Sequence, residues 1–226
     1  MTTLLETIEI ETSPNPAAAV IWMHGLGADG NDFVPIVNEI DLSGVPGGIR
    51  FVFPHAPTRA VTINNGHVMR AWYDISFGDL EGHTRKADEK GVRASQAQIG
   101  QLIARENQRN IPANKIVLAG FSQGGAVALQ TGLRYADTLA GVMALSTYLP
   151  LAESFAQEAT PANAKTAVFM AHGIQDPVVP YAMGKASHER LQQAGYAVEW
   201  HDYAMQHSVC LEEIADIGHW LGRVLA

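Results

Sequence analysis

Hydrophobic and polar positions follow two distinct patterns along the chain, and these patterns predict its secondary structure. An unbroken apolar run at residues 17–23 ends at His24-Gly25, and a mainly apolar run at 49–53 is stopped by Pro54, which is typical of short buried strands. Ile8 and Ile10 alternate with acidic residues, as in an edge strand. Between residues 88 and 108, apolar positions recur at helical spacing among charged ones, which predicts an amphipathic helix.

Strand and helix patterns alternate through the C-terminal half. Strands are predicted at residues 115–120, 139–145, 164–171 and 198–203, and helices at 123–135, 181–193 and 209–225. This alternation predicts an α/β fold, a mostly parallel central sheet with helices on both faces and its chemistry at the carboxyl ends of the strands. Residues 57–83 lack periodicity and are predicted to form a long loop. Without repeats or linkers, we expect one domain over residues 1–226.

Composition and charge exclude several functional classes. The formal net charge of −8, without any basic run, disfavours nucleic-acid binding. No apolar run approaches the roughly 18 residues of a membrane span, so we expect no stable membrane insertion. The first residues carry glutamates where a signal peptide needs positive charge, which favours a cytoplasmic location. The single cysteine, Cys210, cannot form an internal disulfide bond.

The segment GFSQG at residues 120–124 has the form G-x-S-x-G and lies between a predicted strand and a predicted helix. This is the context of a nucleophile elbow, in which the serine hydroxyl projects above the sheet. Ser122 is therefore the candidate nucleophile. The alternative is a tight turn in which Ser122 only caps the following helix.

A nucleophilic serine needs an imidazole base and a carboxylate that orients this base. In enzymes with this elbow the chain order is serine, acid, histidine. This order restricts the base to the histidines at 172, 188, 201, 207 and 219. Those at 188, 201 and 219 lie on predicted helices or strands, whereas His207 lies in the loop between the last predicted strand and the closing helix and is the candidate base. Asp176 follows the strand at 164–171 and is the candidate acid, with Asp202 in reserve and an Asx-type turn as the alternative role of Asp176.

Acyl transfer also needs hydrogen-bond donors for the negative charge that develops on the carbonyl oxygen. The backbone N–H of Gln123, directly after the nucleophile, should be one donor of this oxyanion hole, and that of Leu26 the other. Leu26 lies in the glycine-rich loop after the strand at 17–23, which lacks the patterns of phosphate-binding loops. His24 in this loop is interpreted as a structural residue.

Four apolar residues on loops near the predicted site are candidates for binding the acyl chain. They are Trp72, Tyr73, Leu149 and Val179, each of which also suits a position in the core. The nine histidines include no pair at metal-ligand spacing, so we expect no metal site.

These motifs resemble the phospholipase/carboxylesterase family of small α/β-hydrolases, which includes bacterial carboxylesterases and acyl-protein thioesterases. The resemblance rests on HGLGA at 24–28 with NDF at 31–33, FPHAP at 53–57, AWYD at 71–74, GFSQGG at 120–125, HG at 172–173 with DP at 176–177, and Met205 with HSV at 207–209. The segment LSTYLP at 145–150 is more similar to bacterial carboxylesterases than to eukaryotic thioesterases.

The resemblance implies an α/β-hydrolase fold without a large cap domain, and hydrolysis without a cofactor. It also implies that Leu26 and Gln123 form the oxyanion hole. The first functional hypothesis is a serine carboxylesterase acting on short- to medium-chain acyl esters through an acyl-enzyme. The second is an acyl-protein thioesterase or lysophospholipase with the same triad, and the third is a non-catalytic binding protein. The expected partner is a small ester or thioester substrate, and base rates and family habit allow a homodimer.

Overall fold

The computed structural model describes residues 4–76 and 88–226, and its main feature is a seven-stranded β-sheet. The strands are β1 (Thr7–Glu11), β2 (Ala18–Met23), β3 (Ile49–Pro54), β4 (Thr58–Val61), β5 (His67–Arg70), β6 (Ile116–Phe121), β7 (Gly141–Leu145), β8 (Ala167–Gly173) and β9 (Val198–Tyr203). The α-helices are α1 (Glu89–Gln108), α2 (Gln123–Gly132), α3 (Phe155–Glu158), α4 (Tyr181–Gln193) and α5 (Leu211–Val224). Outside residues 57–83, every predicted strand and helix is present, with ends shifted by a few residues.

The large sheet has the strand order β1-β3-β2-β6-β7-β8-β9. Strand β1 is antiparallel to β3, and all other neighbouring strands are parallel. Phe121 at the end of β6 pairs with Leu145 at the end of β7, which in turn pairs with Ala171 near the end of β8. The carboxyl ends of the central strands therefore meet at one edge, and the predicted parallel sheet is confirmed.

Two apolar layers cover the sheet because successive side chains of each strand point to opposite faces. Ile21 of β2 and Leu118 of β6 pack in the layer formed with α1, α2 and α4. Val20 and Val117, one residue earlier in each strand, pack in the layer that includes α5. The predicted covering of both faces by helices is confirmed. Within the described ranges, no helix has the length and apolar character needed to cross a bilayer.

The predicted long loop at residues 57–83 is wrong in its first part. Strands β4 and β5 form an antiparallel hairpin there, and residues 77–83 lie outside the described residues. Asn65 and Gly66 turn the chain with φ values of 55° and 76°. Asparagine followed by glycine is a strong hairpin signal because both residues tolerate positive φ. The loop prediction overlooked this dipeptide.

Candidate active site

The turn between β6 and α2 holds Ser122 in a strained conformation, with φ 54° and ψ −119°. Glycine is required on both sides of this turn. A Cβ atom on Gly120 would collide with the backbone of Gly124, and one on Gly124 would collide with the carbonyl oxygen of Met23. Ser122 is the N-cap residue of α2 by position, but its side chain makes no capping hydrogen bond to the helix. The turn has the form of a nucleophile elbow.

Asp176 and His207 come together from the loops that follow β8 and β9. Nδ1 of His207 lies 2.6 Å from Oδ2 of Asp176, whose side chain is fully buried. The other oxygen, Oδ1, accepts hydrogen bonds from the backbone N–H groups of Val178 and Val179, at 2.8 and 2.9 Å. Asp176 thus forms the Asx-type turn and also contacts the histidine. A proton on Nδ1 that is donated to Asp176 leaves Nε2 of His207 free to accept another.

The loop that carries His207 lies directly beside the elbow. The ring of His207 packs on the ring of Phe121, the residue before Ser122, with 4.6 Å between the centroids. The backbone N–H of Gln175 donates to the carbonyl oxygen of Met205 at 3.1 Å, which joins the acid loop to the histidine loop. The reserve acid, Asp202, instead accepts from the hydroxyl of Tyr181 at 2.8 Å. The structure therefore joins Asp176 to His207 and places His207 against the residue that precedes Ser122. That the three residues act as one triad stays a prediction.

A second histidine, His172, contacts both Asp176 and the loop that carries it. Its Nε2 lies 2.9 Å from the carbonyl oxygen of Val179 and 3.5 Å from Oδ2 of Asp176. Burial lowers the pKa of His172, which favours the neutral ring. Since a carbonyl oxygen only accepts, Nε2 carries the proton and donates it. Chain order alone made His172 a possible base, but its contacts bind it to the loop that presents Asp176.

The loop after β2 passes beside the nucleophile, since an added Cβ on Gly25 would lie 3.6 Å from Cβ of Ser122. His24 holds this loop. Its Nε2 accepts from the N–H of Ala56 at 3.1 Å, so its Nδ1 carries the proton that bonds to the carbonyl oxygen of Gly25 at 2.7 Å. Burial lowers the pKa of His24 to about 4, which keeps this ring neutral. The interpretation of His24 as a structural residue agrees with these contacts.

The Gly25–Leu26 peptide is oriented by this hydrogen bond. In a trans peptide the C=O and N–H groups point in opposite directions. Because the carbonyl group of Gly25 points at His24, the N–H of Leu26 points away from it. The predicted oxyanion donor therefore has a fixed direction.

Gln123 is held in place through its side chain. Its Oε1 accepts from the N–H of Trp72 and its Nε2 donates to the carbonyl oxygen of Tyr73, both at 2.7 Å. Trp72 in turn donates its Nε1–H to the carbonyl oxygen of His24 at 2.9 Å. These bonds join the elbow to the loop after β2. The sequence did not predict these hydrogen bonds, although the AWYD motif at residues 71–74 contains the two residues that bond to Gln123.

The comparison with known families gives a match over nearly the whole chain. The phospholipase/carboxylesterase family matches residues 5–225. The chain belongs to this family. It is therefore a hydrolase of the esterase and thioesterase class, and its fold is the α/β-hydrolase fold.

Individual members of the phospholipase/carboxylesterase family are similar over most of their length. Acyl-protein thioesterase 1 of Neurospora crassa is 42% identical over 210 residues, covering 90% of this chain and 85% of the relative. The crystal structure of Arabidopsis thaliana SOBER1 has a TM-score of 0.84 at 30% identity, with 92% of this chain and 99% of that chain covered. The crystal structure of Zea mays acyl-protein thioesterase 2 has a TM-score of 0.84 at 27% identity, with 98% and 99% covered.

The four residues predicted to bind the acyl chain are almost completely buried in this family member. Trp72, Tyr73, Leu149 and Val179 all belong to the apolar layer beneath α1, α2 and α4. A surface cavity of about 440 Å³ lies elsewhere, at the loop that follows β2. It is lined by Gly27, Ala28, Asp29, Asn31, Asp32 and Arg70. The assignment of the four apolar residues to substrate binding stays a prediction.

Among the described residues, no three His, Cys, Asp or Glu side chains are grouped so that they could hold a metal ion. Two histidines near the elbow have partners within the protein. His207 contacts Asp176, and His24 contacts Gly25 and Ala56.

Proposed function

We propose that this member of the phospholipase/carboxylesterase family hydrolyses acyl thioesters and carboxylic esters through an acyl-enzyme on Ser122. The observation that carries this proposal is the 2.6 Å contact between His207 and Asp176, beside a serine in a strained elbow. Nucleophilic catalysis by serine requires an imidazole base and a carboxylate that orients it, so an Asp-bound histidine beside the elbow supports the proposal.

In the proposed first half-reaction, the hydroxyl oxygen of Ser122 attacks the acyl carbon and Nε2 of His207 takes the hydroxyl proton. Asp176 holds Nδ1–H of the ring and stabilises the imidazolium that forms. The N–H groups of Gln123 and Leu26 donate to the negatively charged oxygen of the tetrahedral intermediate. The bond from carbon to sulfur or oxygen then breaks, and His207 passes its proton to the leaving thiolate or alkoxide.

Water completes the proposed cycle by the same route. His207 removes a proton from a water molecule, and the resulting hydroxide attacks the acyl carbon bound to Ser122. The second tetrahedral intermediate breaks down as Ser122 takes back a proton from His207, and the carboxylic acid leaves. This cycle uses only side chains and backbone amides of the protein, together with water.

The names of the relatives favour a thioester as the preferred substrate. Sequence motifs placed carboxylesterase first and acyl-protein thioesterase second. The relative from Neurospora crassa, at 42% identity, is named acyl-protein thioesterase 1. We therefore propose the thioester of an acylated protein as the preferred substrate, ahead of simple esters and of lysophospholipids. The triad itself does not separate these substrates, because specificity lies in the surrounding loops.

The function is tested by comparing kcat/KM for one acyl group presented as a thioester, as a p-nitrophenyl ester and as a lysophospholipid. Ser122→Ala and His207→Ala should each lower kcat by roughly 10⁴-fold, as loss of a triad member does elsewhere. Exposed residues supply the controls, and Ser43→Ala and His219→Ala should retain normal kcat. Near-normal turnover by the Ser122 variant would overturn the proposal, and a higher kcat/KM for the ester than for the thioester would overturn the substrate order.

Labelling with a fluorophosphonate separates a hydrolase from a binding protein that has only kept the fold. The probe should form one covalent adduct with the unaltered protein and none with Ser122→Ala. An unaltered protein that resists the probe would support the binding-protein hypothesis.

A further inference from the structure

The segment that follows β7 contacts the backbone of the nucleophile elbow. Ser146 has a φ of 47°, and the next residue, Thr147, is completely buried. Oγ1 of Thr147 lies 2.6 Å from the carbonyl oxygen of Ser122 and donates its hydrogen to it. Thr147 also fits closely against the elbow, since an added Cβ on Gly125 would lie 2.8 Å from Cγ2 of Thr147. None of the steps proposed above uses this threonine.

The carbonyl group that Thr147 contacts belongs to the same peptide as the N–H of Gln123. Since the two groups of a trans peptide point in opposite directions, holding the carbonyl group determines the direction of the N–H. A carbonyl oxygen has two lone pairs. One accepts from the N–H of Ala126 at 3.1 Å, within the first turn of α2, and the other accepts from Thr147.

The hydroxyl group has an electronic effect as well. Hydrogen bonds in a chain polarise one another, and a peptide whose carbonyl oxygen accepts a bond becomes a stronger donor at its N–H. This effect is largest where water is excluded, and Thr147 has no exposed surface.

We propose that Thr147 is a positioning residue that aims and polarises the N–H of Gln123 toward the oxyanion of the tetrahedral intermediate. The inference rests on the proposed function, in which this amide is an oxyanion donor. The other donor is held in the same manner, because the buried ring of His24 contacts the carbonyl oxygen of Gly25 at 2.7 Å. In both peptides of the proposed oxyanion hole, the carbonyl oxygen thus accepts a hydrogen bond from a buried side chain.

The test replaces Thr147 by valine, which has the same shape and lacks the hydroxyl group. Thr147→Val should lower kcat about 10-fold with KM changed less than about twofold, since the donor is loosened but not removed. Thr147→Ser retains the hydroxyl group and should keep kcat within about twofold of the unaltered protein. Each kcat is referred to active sites titrated with a fluorophosphonate, so that unfolded molecules do not count.

Thr131 on α2 provides the matched control. It is buried, and its hydroxyl group has no hydrogen-bond partner among the described residues. Thr131→Val should therefore leave kcat and KM unchanged, although it makes the same chemical change at another buried position.

Equal kcat in Thr147→Val and Thr131→Val, with Ser122→Ala inactive, would overturn the role of Thr147 and leave the proposed function intact. An active Ser122→Ala would overturn the proposed function itself. If Thr147→Val does not fold, Thr147→Ala and Thr147→Ser provide the same comparison, and equal kcat in these two would also overturn the inference.

Discussion

Asp176 uses its two carboxylate oxygens for different tasks. Oδ1 accepts the two backbone N–H groups that shape its loop, and Oδ2 contacts His207. An asparagine at this position would keep its carbonyl oxygen on the N–H groups of Val178 and Val179. Its NH₂ group would then face Nδ1 of His207 and force the proton of the ring onto Nε2. This is the wrong tautomer for a base that must accept a proton from Ser122.

We therefore expect Asp176→Asn to lower kcat by about 10⁴-fold, as the equivalent change does in serine proteases. The melting temperature should change little, because the loop keeps its hydrogen bonds. Steady-state kinetics and thermal unfolding measure the two quantities. Asp202→Asn, on the adjacent strand, is the control and should retain normal kcat. Retention of a tenth of the activity by Asp176→Asn would contradict the proposed role.

At the level of single residues, sequence reasoning located side chains better than it located their contacts. Ser122, Asp176 and His207 were selectable because chain order and loop position restrict the choice. The hydrogen bond between Gln123 and Trp72 joins residues 51 positions apart, and no local pattern encodes such a bond. The tautomer of His24 likewise depends on the N–H of Ala56, which only the folded chain brings near.

Two glycines within helices allow the strain at the elbow to be tested. Gly124 lies in the first turn of α2, where a Cβ would collide with the backbone of β2. Gly100 lies within α1 and has open space around it. Gly100→Ala should raise the free energy of unfolding by about 0.5–1 kcal/mol, because alanine loses less conformational entropy in a helix.

Gly124→Ala should instead lower the free energy of unfolding by several kcal/mol, because one backbone would have to move away from the other. Urea unfolding of both variants provides the comparison. Equal stability of the two alanine variants would show that strands and helix at the elbow are not closely packed.

At the level of elements, buried strands were predictable because each is a short apolar run with a clear stop. Strand β2 is buried at every position and ends at His24-Gly25. The β4–β5 hairpin was missed because its strands show no such run, and His67 and Val68 are exposed. The end of α2 at Gly132 was also missed, since the sequence pattern that predicted the helix continues to residue 135.

The pH dependence of stability is a property of the whole molecule, and one buried carboxyl group should dominate part of it. Glu213 on α5 has no exposed surface, and burial is the main cause that raises its pKa from 4.5 to about 8. Between these two pH values the folded protein binds one proton more than the unfolded chain. The free energy of unfolding should therefore fall as the pH rises from about 5 to about 8, by about 1 kcal/mol per pH unit.

Glu213→Gln should raise the melting temperature at pH 8 and remove this contribution to the slope, because the amide needs no proton to remain neutral. Glu212→Gln, at the exposed neighbouring position, should leave the slope unchanged. Thermal unfolding from pH 5 to pH 9 compares the three proteins. Parallel curves for Glu213→Gln and the unaltered protein would show that this carboxyl group does not control stability in that range.

At the same scale, several expectations from the sequence and the family resemblance stay predictions: one domain over residues 1–226, a cytoplasmic location and a homodimer. The arrangement of the sheet was the most predictable feature, because parallel strands joined by helices leave few topologies. The positions of the loops at the carboxyl edge of the sheet were less predictable, because hydrogen bonds between residues distant in sequence hold them.

The sheet has one consequence for how activity is acquired. The three proposed reacting groups follow β6, β8 and β9, and the last of them is also held by contacts with the loop after β8. A chain still emerging from the ribosome, with its first strands already paired, would remain inert until β9 had been added. Hydrolysis therefore depends on the last strand of the sheet as much as on the elbow itself.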